Sequence, residues 1–244
     1  MALLEVREVV KTYGGIVAVS NASFDVDAGS ITALIGPNGA GKTTAFDTIT
    51  GVVQPDSGSV RFGGVEITGR RPYAITERGV GRTFQITREL GDMTVLENMV
   101  VSTVPNSIRS LFGGRMTTAQ RDRAMELLAF VGIEKLAHQP AKRLSYGQRK
   151  LLEIAGVLMT DPRLILLDEP AAGVNPALLE RILDRIREAN QAGTTFLIVE
   201  HNMDVVMQLS HSVIVMAHGS VLLQDTPEAV RNDERVLDAY LGAV

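Results

Sequence analysis

The chain has 244 residues, is 45% hydrophobic, carries a net charge of −4 and contains no cysteine. At ~150 residues per domain, that length fits one large domain or a domain with a substantial insertion, and the hydrophobic share is ordinary for a chain that builds its own core. Scattered Lys and Arg under a net negative charge give no reason to expect a nucleic-acid partner. The lack of cysteine excludes disulfides and thiolate metal sites and is compatible with the cytosol.

Met1 to Glu8 alternates apolar with charged residues, which reads as a first strand and not as a signal peptide. No stretch approaches the ~20 apolar residues of a membrane helix, so any membrane role falls to another chain. Residues 3–10, 20–27 and 59–67 alternate in the same way, punctuated by Gly14-Gly15, Gly29, Gly58 and Gly63-Gly64. That pattern predicts an antiparallel sheet. Ile31 to Ile35 is apolar and partly β-branched, as a buried strand should be. It runs straight into Gly36-Pro37-Asn38-Gly39-Ala40-Gly41-Lys42-Thr43, which fits G-x-x-x-x-G-K-[ST]. Thr43 to Ile49 then reads as a helix, apolar at Phe46 and Ile49.

Strand, glycine loop and helix in that order make a phosphate-binding loop. Gly36, Gly39 and Gly41 allow dihedrals that a Cβ forbids, so successive N–H groups can point at phosphate oxygens. The helix aims its positive end at the same place. Pro37, Asn38, Ala40 and Thr44 complete the candidate nucleotide site. Lys42 should reach the β- and γ-phosphates, and the Thr43 hydroxyl should ligate Mg²⁺.

From about residue 86 to 160 the strand signals vanish. Helical segments are predicted at 94–101, 118–131 and 146–159, with a loop at 105–116, so this stretch is a helical insertion within an α/β core. Leu151, Ile154, Ala155 and Leu158 form the stripe of an amphipathic helix. Leu164–Leu167 and Phe196–Val199 are continuous apolar strands of the kind a parallel sheet covers on both faces. Pro176–Ala189 between them is helical. Ligands bind beyond the carboxyl ends of such strands, where Asp168, Glu169 and His201 lie. Asp168 would hold Mg²⁺ opposite Thr43, Glu169 would act as general base, and His201 would contact the γ-phosphate. The blander reading is a solvated turn or a helix N-cap for the two acids and a surface or packing residue for His201; His211 and His218 belong to that surface or packing class.

Leu144-Ser145-Tyr146-Gly147-Gln148 follows the loop by about a hundred residues and precedes Leu164–Leu167-Asp168-Glu169-Pro170. With the loop, this order resembles the ATP-binding-cassette (ABC) ATPases over essentially the whole chain; Tyr146 stands where their signature L-S-G-G-Q has glycine. The resemblance implies one α/β domain: a P-loop NTPase (RecA-like) core, an antiparallel β subdomain and an inserted α-helical subdomain. Residues 1–85 and 160–244 would form the nucleotide-binding core and 86–159 the helical subdomain. It implies ATP and Mg²⁺, with Ser145, Gly147 and Gln148 completing the site of a second ATPase subunit, in a homodimer or heterodimer. Ser145 could equally be a plain helix N-cap. Tyr13 matches the family's adenine-stacking aromatic. Gln85 matches the glutamine that senses Mg²⁺ or the attacking water. Asn175 departs from the pattern, since many relatives carry aspartate there.

Val80 to Gln85, Met93 to Asn98, Asp168 to Gly173 and Ala239 to Gly242 look like the ATPase subunits of bacterial branched-chain amino-acid importers. That likeness implies two transmembrane permease subunits, a secreted solute-binding protein acting indirectly, and a peripheral position on the cytoplasmic face of the membrane. The alternative is a lipopolysaccharide-export ATPase with similar signature wording. A non-transport cassette ATPase is the alternative from another class, but the coiled coil, tandem cassette or zinc cysteines of its members are missing. Ile86, Leu90 and Met93, set among Arg88, Glu89 and Asp92, either receive a permease helix or pack inside the helical subdomain.

Overall fold

The computed structural model describes residues 1–83, 90–101 and 116–241. In chain order it opens with β1 (Ala2–Tyr13), β2 (Ile16–Asp27), β3 (Ile31–Ile35), α1 (Lys42–Ile49), β4 (Ser57–Phe62) and β5 (Val65–Glu66). Next come α2 (Pro72–Thr76), β6 (Val80–Arg82), α3 (Val95–Val101), α4 (Thr118–Val131), α5 (Tyr146–Leu158) and β7 (Leu164–Asp168). The remainder is α6 (Pro176–Gln191), β8 (Thr195–Val199), α7 (Met203–Leu209), β9 (Ser212–Ala217), β10 (Ser220–Asp225), α8 (Pro227–Arg231) and α9 (Glu234–Leu241).

These strands make two sheets. One is antiparallel, in the order β2-β1-β4-β5. The other has the order β10-β9-β3-β8-β7-β6, parallel throughout except where β10 returns against β9. The run 59–67 read as one strand is two, because the chain turns at Gly63-Gly64 with both residues at positive φ. Gln224 on β10 joins the two sheets. Its Nε2 donates to the Asp25 carbonyl at 2.7 Å, and its Oε1 accepts from the Asp25 N–H at 3.2 Å.

The continuous apolar strands are explained by what covers them. Successive strand residues face opposite sides, and here both sides are buried. Leu34, Leu164, Leu166, Leu197 and Val199 pack with Phe46 and Ile49 of α1 and with Val6, Phe24 and Val60 of the antiparallel sheet. Ile31, Ile165, Leu167, Phe196 and Ile198 pack on the other side with Leu151, Ile154 and Leu158 of α5 and Ile182, Leu183 and Ile186 of α6. The helices α3, α4 and α5 share that second core. Each fully buried side chain of this size contributes ~1.5–3 kcal/mol, so both strand faces are held firmly. The sheet's carboxyl edge is thereby fixed as a platform.

Gln85, Ile86, Arg88 and Glu89 lie outside the described residues, as does all but Met116 of the loop expected at 105–116. Leu90 is exposed, Met93 is half-buried, and Asp92 pairs with Lys142 at 2.7 Å.

Candidate nucleotide site

β3 delivers the chain to Gly36, whose φ of 147° and surroundings leave no alternative to glycine: a Cβ there would lie 2.0 Å from the Met216 carbonyl oxygen. A Cβ at Gly41, where φ is 97°, would lie 2.4 Å from the Ala18 carbonyl oxygen. Strands β9 and β2 therefore press on the loop from both sides. Gly41 is also the N-cap of α1, in the left-handed conformation, and no side chain caps the helix. The first N–H groups of α1 are left to a ligand. Lys42 is buried, and its Nζ donates to the carbonyls of Gly36 at 2.8 Å and Pro37 at 2.9 Å. Burial pushes the Lys42 ammonium below the usual lysine range, while Glu169 and Asp168 pull it back up. Thr43 is exposed and Thr44 half-buried.

β8 lies beside β3 and β7 beside β8, so the loop, His201 and the Asp168-Glu169 pair follow one another along a single sheet edge. Asp168 is buried, and its N–H donates to Thr83 Oγ1 at 3.3 Å. Burial pushes its carboxyl above the usual aspartate range; Arg82 opposes that, Glu169 and Asp47 add to it, and His201 opposes. Glu169 has a left-handed backbone with φ of 49°. Its N–H donates to the Val199 carbonyl at 3.0 Å, and its Oε1 lies 3.0 Å from His201 Nε2. A non-glycine residue held there costs about 1–3 kcal/mol, which surrounding contacts must offset. Glu200, buried at the end of β8, accepts from the N–H groups of Ala171 at 2.8 Å and His201 at 3.0 Å.

The structure thus brings Lys42, Asp168, Glu169 and His201 together. Tyr13 stands apart at the end of β1. The residue is 46% exposed, with the exposed Ile16 and Val17 across the turn and Lys11 Nζ 5.4 Å from the ring centroid. That open apolar ledge suits a planar ligand. Ser145 caps α5: its Oγ accepts from the Gln148 N–H at 3.3 Å, and its own N–H donates to Gln148 Oε1 at 2.9 Å. A Cβ on Gly147 would lie 1.8 Å from Leu178 Cδ2, so this glycine lets α5 approach α6 closely. Asn175 caps α6, its Oδ1 accepting from the Leu178 N–H at 3.0 Å.

Two residues escaped the sequence reading. Arg82 joins α1 to β7: it contacts Asp47 at 2.6 Å and Asp168 at 3.8 Å, and its guanidinium lies 5.7 Å from the Phe46 ring centroid. Lys150 is buried on α5 and donates to the Glu169 carbonyl. Arg82 falls within the Val80 to Gln85 wording but has no role assigned by it, and Lys150 in an amphipathic pattern reads as a solvated cation.

Among the described residues no group of three or more His, Cys, Asp or Glu side chains could hold a metal. Mg²⁺ takes one or two protein oxygens and fills its shell with phosphate and water, and the Thr43 hydroxyl and the Asp168 carboxylate offer oxygens of that kind.

Residues 19–172 match the family model described as ABC transporter, and residues 220–244 match one described as branched-chain amino acid ATP-binding cassette transporter. The chain is 39% identical over 249 residues to the high-affinity branched-chain amino acid transport ATP-binding protein LivG of Escherichia coli strain K12, covering 98% of each. It superposes on the ADP conformation of an ATP-binding cassette of an ABC transporter with a TM-score of 0.90 at 35% identity, covering 99% of both chains. A dimeric bacterial ABC transporter cassette matches with a TM-score of 0.79 at 25% identity, covering 92% of this chain and 98% of that one.

Proposed function

Since the chain belongs to the ABC transporter family and is one of its ATP-binding ATPases, we propose that it powers an importer of branched-chain amino acids or of a closely related small solute. The Glu169–His201 contact carries the mechanistic reading. It sets a carboxylate and an imidazole at the ends of adjacent parallel strands, beside an uncapped helix that already holds a buried lysine.

In that reading the adenine lies on Tyr13, and the phosphates lie in the loop from Gly36 to Thr44, with Lys42 on the β- and γ-phosphates. Thr43 and Asp168 would hold Mg²⁺, with Gln85 as a further ligand or water sensor, and the ion would supply neutralisation of the phosphate charge. Glu169 accepts the proton of a water whose oxygen attacks the γ-phosphorus, and the bond to the ADP oxygen breaks. His201 keeps the carboxylate and the terminal phosphate in register. Arg82, spanning Asp47 and Asp168, keeps the acidic edge from repelling itself. Ser145, Gly147 and Gln148 face the nucleotide of a second ATPase subunit.

The core then comprises 1–85 and 160–244 and the helical subdomain 86–159. Two transmembrane permease subunits receive the motion on the cytoplasmic face of the membrane, and a secreted solute-binding protein acts on them from outside. No helix among the described residues is long and apolar enough to cross a membrane. The exposed Leu90 suits the edge of a permease-docking cleft. The solute assignment draws on the likeness of residues 220–244 to the branched-chain family model. Its test is reconstitution in proteoliposomes with the permease and binding-protein products of neighbouring genes. Leucine, isoleucine or valine should stimulate ATP turnover through the binding protein; stimulation only by unrelated solutes would overturn the solute assignment and leave the ATPase intact.

A further inference from the structure

Lys150 sits in the fifth position of α5 after the cap Ser145, and only 9% of its surface is exposed. Burying an ammonium costs several kcal/mol unless its surroundings answer the charge. The answer here is specific. Its Nζ donates to the Glu169 carbonyl at 2.5 Å and lies 5.5 Å from the centroid of the Tyr146 ring. Glu200, Glu169 and Asp168 add an acidic field, together with Glu153 on its own helix, and that field counters the burial that pushes Lys150 below the usual lysine range. A lysine kept only for its apolar stem would send its head to solvent. This one turns inward, to a single peptide.

That peptide leaves a residue with a strained backbone. Glu169 holds φ of 49°, its N–H is tied to Val199 on β8, and its side chain meets His201. With the N–H fixed on one side and the carbonyl on the other, the backbone at residue 169 has little freedom left, and the direction of the carboxylate follows. Tyr146 closes the assembly: a Cβ on Gly173 would lie 3.0 Å from its Cε1, so the ring covers the segment after Glu169 as well as standing by the Lys150 head.

We propose that Lys150 is a positioning residue for ATP hydrolysis: it clamps the Glu169–Pro170 peptide so that the carboxylate is aimed, and it ties that turn to the helix that begins at Ser145. A shift of α5, as when Ser145 meets the nucleotide of a second subunit, is then passed directly to the Glu169 carbonyl of its own subunit. Each subunit's base is in register only while its own signature helix is seated. The proposal rests on the reading of Glu169 as the base.

The test is steady-state ATPase kinetics of the assembled transporter carrying Lys150→Met, Lys150→Arg or Glu169→Gln, or Lys150→Met with Glu169→Gln. Methionine keeps the stem and removes the donor. Lys150→Met should lower kcat by about tenfold to a hundredfold, the scale of a small misplacement of a reacting group, with KM for ATP and Tm near wild type. Lys150→Arg should restore most of the loss. In the Glu169→Gln background Lys150→Met should cost nothing further, because no base remains to be aimed. Unchanged kcat in Lys150→Met, or a loss that tracks a lowered Tm, overturns the positioning role. An equal fold-loss in both backgrounds does so too. Full turnover by Glu169→Gln alone overturns the base assignment beneath it, and the two failures are told apart by which single variant stays active.

Discussion

Two helices begin at the groups proposed to meet ATP, and they begin differently. α1 starts at Gly41, in the left-handed region and with no side-chain cap. α5 starts at Ser145, whose hydroxyl and whose partner Gln148 close a reciprocal capping box. The same box opens α4, where Thr117 and Gln120 play the two parts and no ligand is proposed. An open helix start is complete only with an anion on it, and the anion proposed for this one is the subunit's own nucleotide. A capped start is complete alone and can wait for a ligand that arrives on another subunit.

The comparison breaks most sharply at Lys42. Lys42→Ala should abolish nucleotide binding by α1, with turnover falling at least about a hundredfold; equilibrium binding of a fluorescent ATP analogue is the check, and retained binding would mean that the open start suffices without its lysine. Glu169→Gln should leave that binding near wild type while turnover falls by about a hundredfold or more, which a filter-binding assay beside a phosphate-release assay separates.

Asp168 sharpens the same side through pH. Its carboxyl is raised by burial, so in the nucleotide-free fold its contribution to stability is fully present below the unfolded pKa and is lost as pH rises through the folded one. Asp168→Asn should therefore melt higher than wild type at neutral pH, and the gap should close as pH falls into the carboxylate range. A gap that widens toward acid would show that the pairing with Arg82 outweighs burial. Calorimetry across that range decides it.

The capped side predicts smaller effects. Ser145→Ala and Thr117→Ala should each cost about 1 kcal/mol as lost caps, a Tm change of about 2–4 °C in a chain of this size. Only Ser145→Ala should also slow ATP turnover in the dimer; equal activity in the two variants would reduce Ser145 to its cap. Smallest of all, Asn175→Asp should change stability by less than about 0.5 kcal/mol, because both residues cap well. A large change on thermal melting would mean that Asn175 is held by something beyond the Leu178 N–H.

The same contrast governs what could be read from the sequence. The open start was legible because its chemistry is local: three glycines, a lysine and a threonine in eight residues leave few other uses. The strand Leu164–Asp168 and helix α4 were legible for a similar reason, the one as a short apolar run closed by an acid and the other as a segment with its own ends. α5 was legible as a helix, but Ser145 and Gln148 look like any capping box, and only resemblance lends them a nucleotide. Asn175, read as a departure from a pattern, has a local task as the cap of α6. Arg82 and Lys150 were illegible, because what matters about them is burial against residues distant in the chain. β6 has three residues, one of them glycine, and becomes a strand only by pairing with β7. β9 and β10 carry no motif that sets them apart, although Val213 to Met216 has the composition of β8.

Gln224 has a consequence for how the molecule breathes. A glutamine amide offers the same donor and acceptor as a peptide group, so at Asp25 it serves β2 as one rung of a missing strand. The Asp25 amide proton is thus covered from the other sheet for as long as the Gln224 side chain stays in place. In a hydrogen-exchange experiment it should follow the slow protons of β9 and β10, even though the β2 residue that bears it lies in the other sheet. Coincident exchange of these protons would mean that the antiparallel sheet and the central sheet open as one cooperative unit, and faster exchange at Asp25 would mean that the Gln224 rung yields by itself.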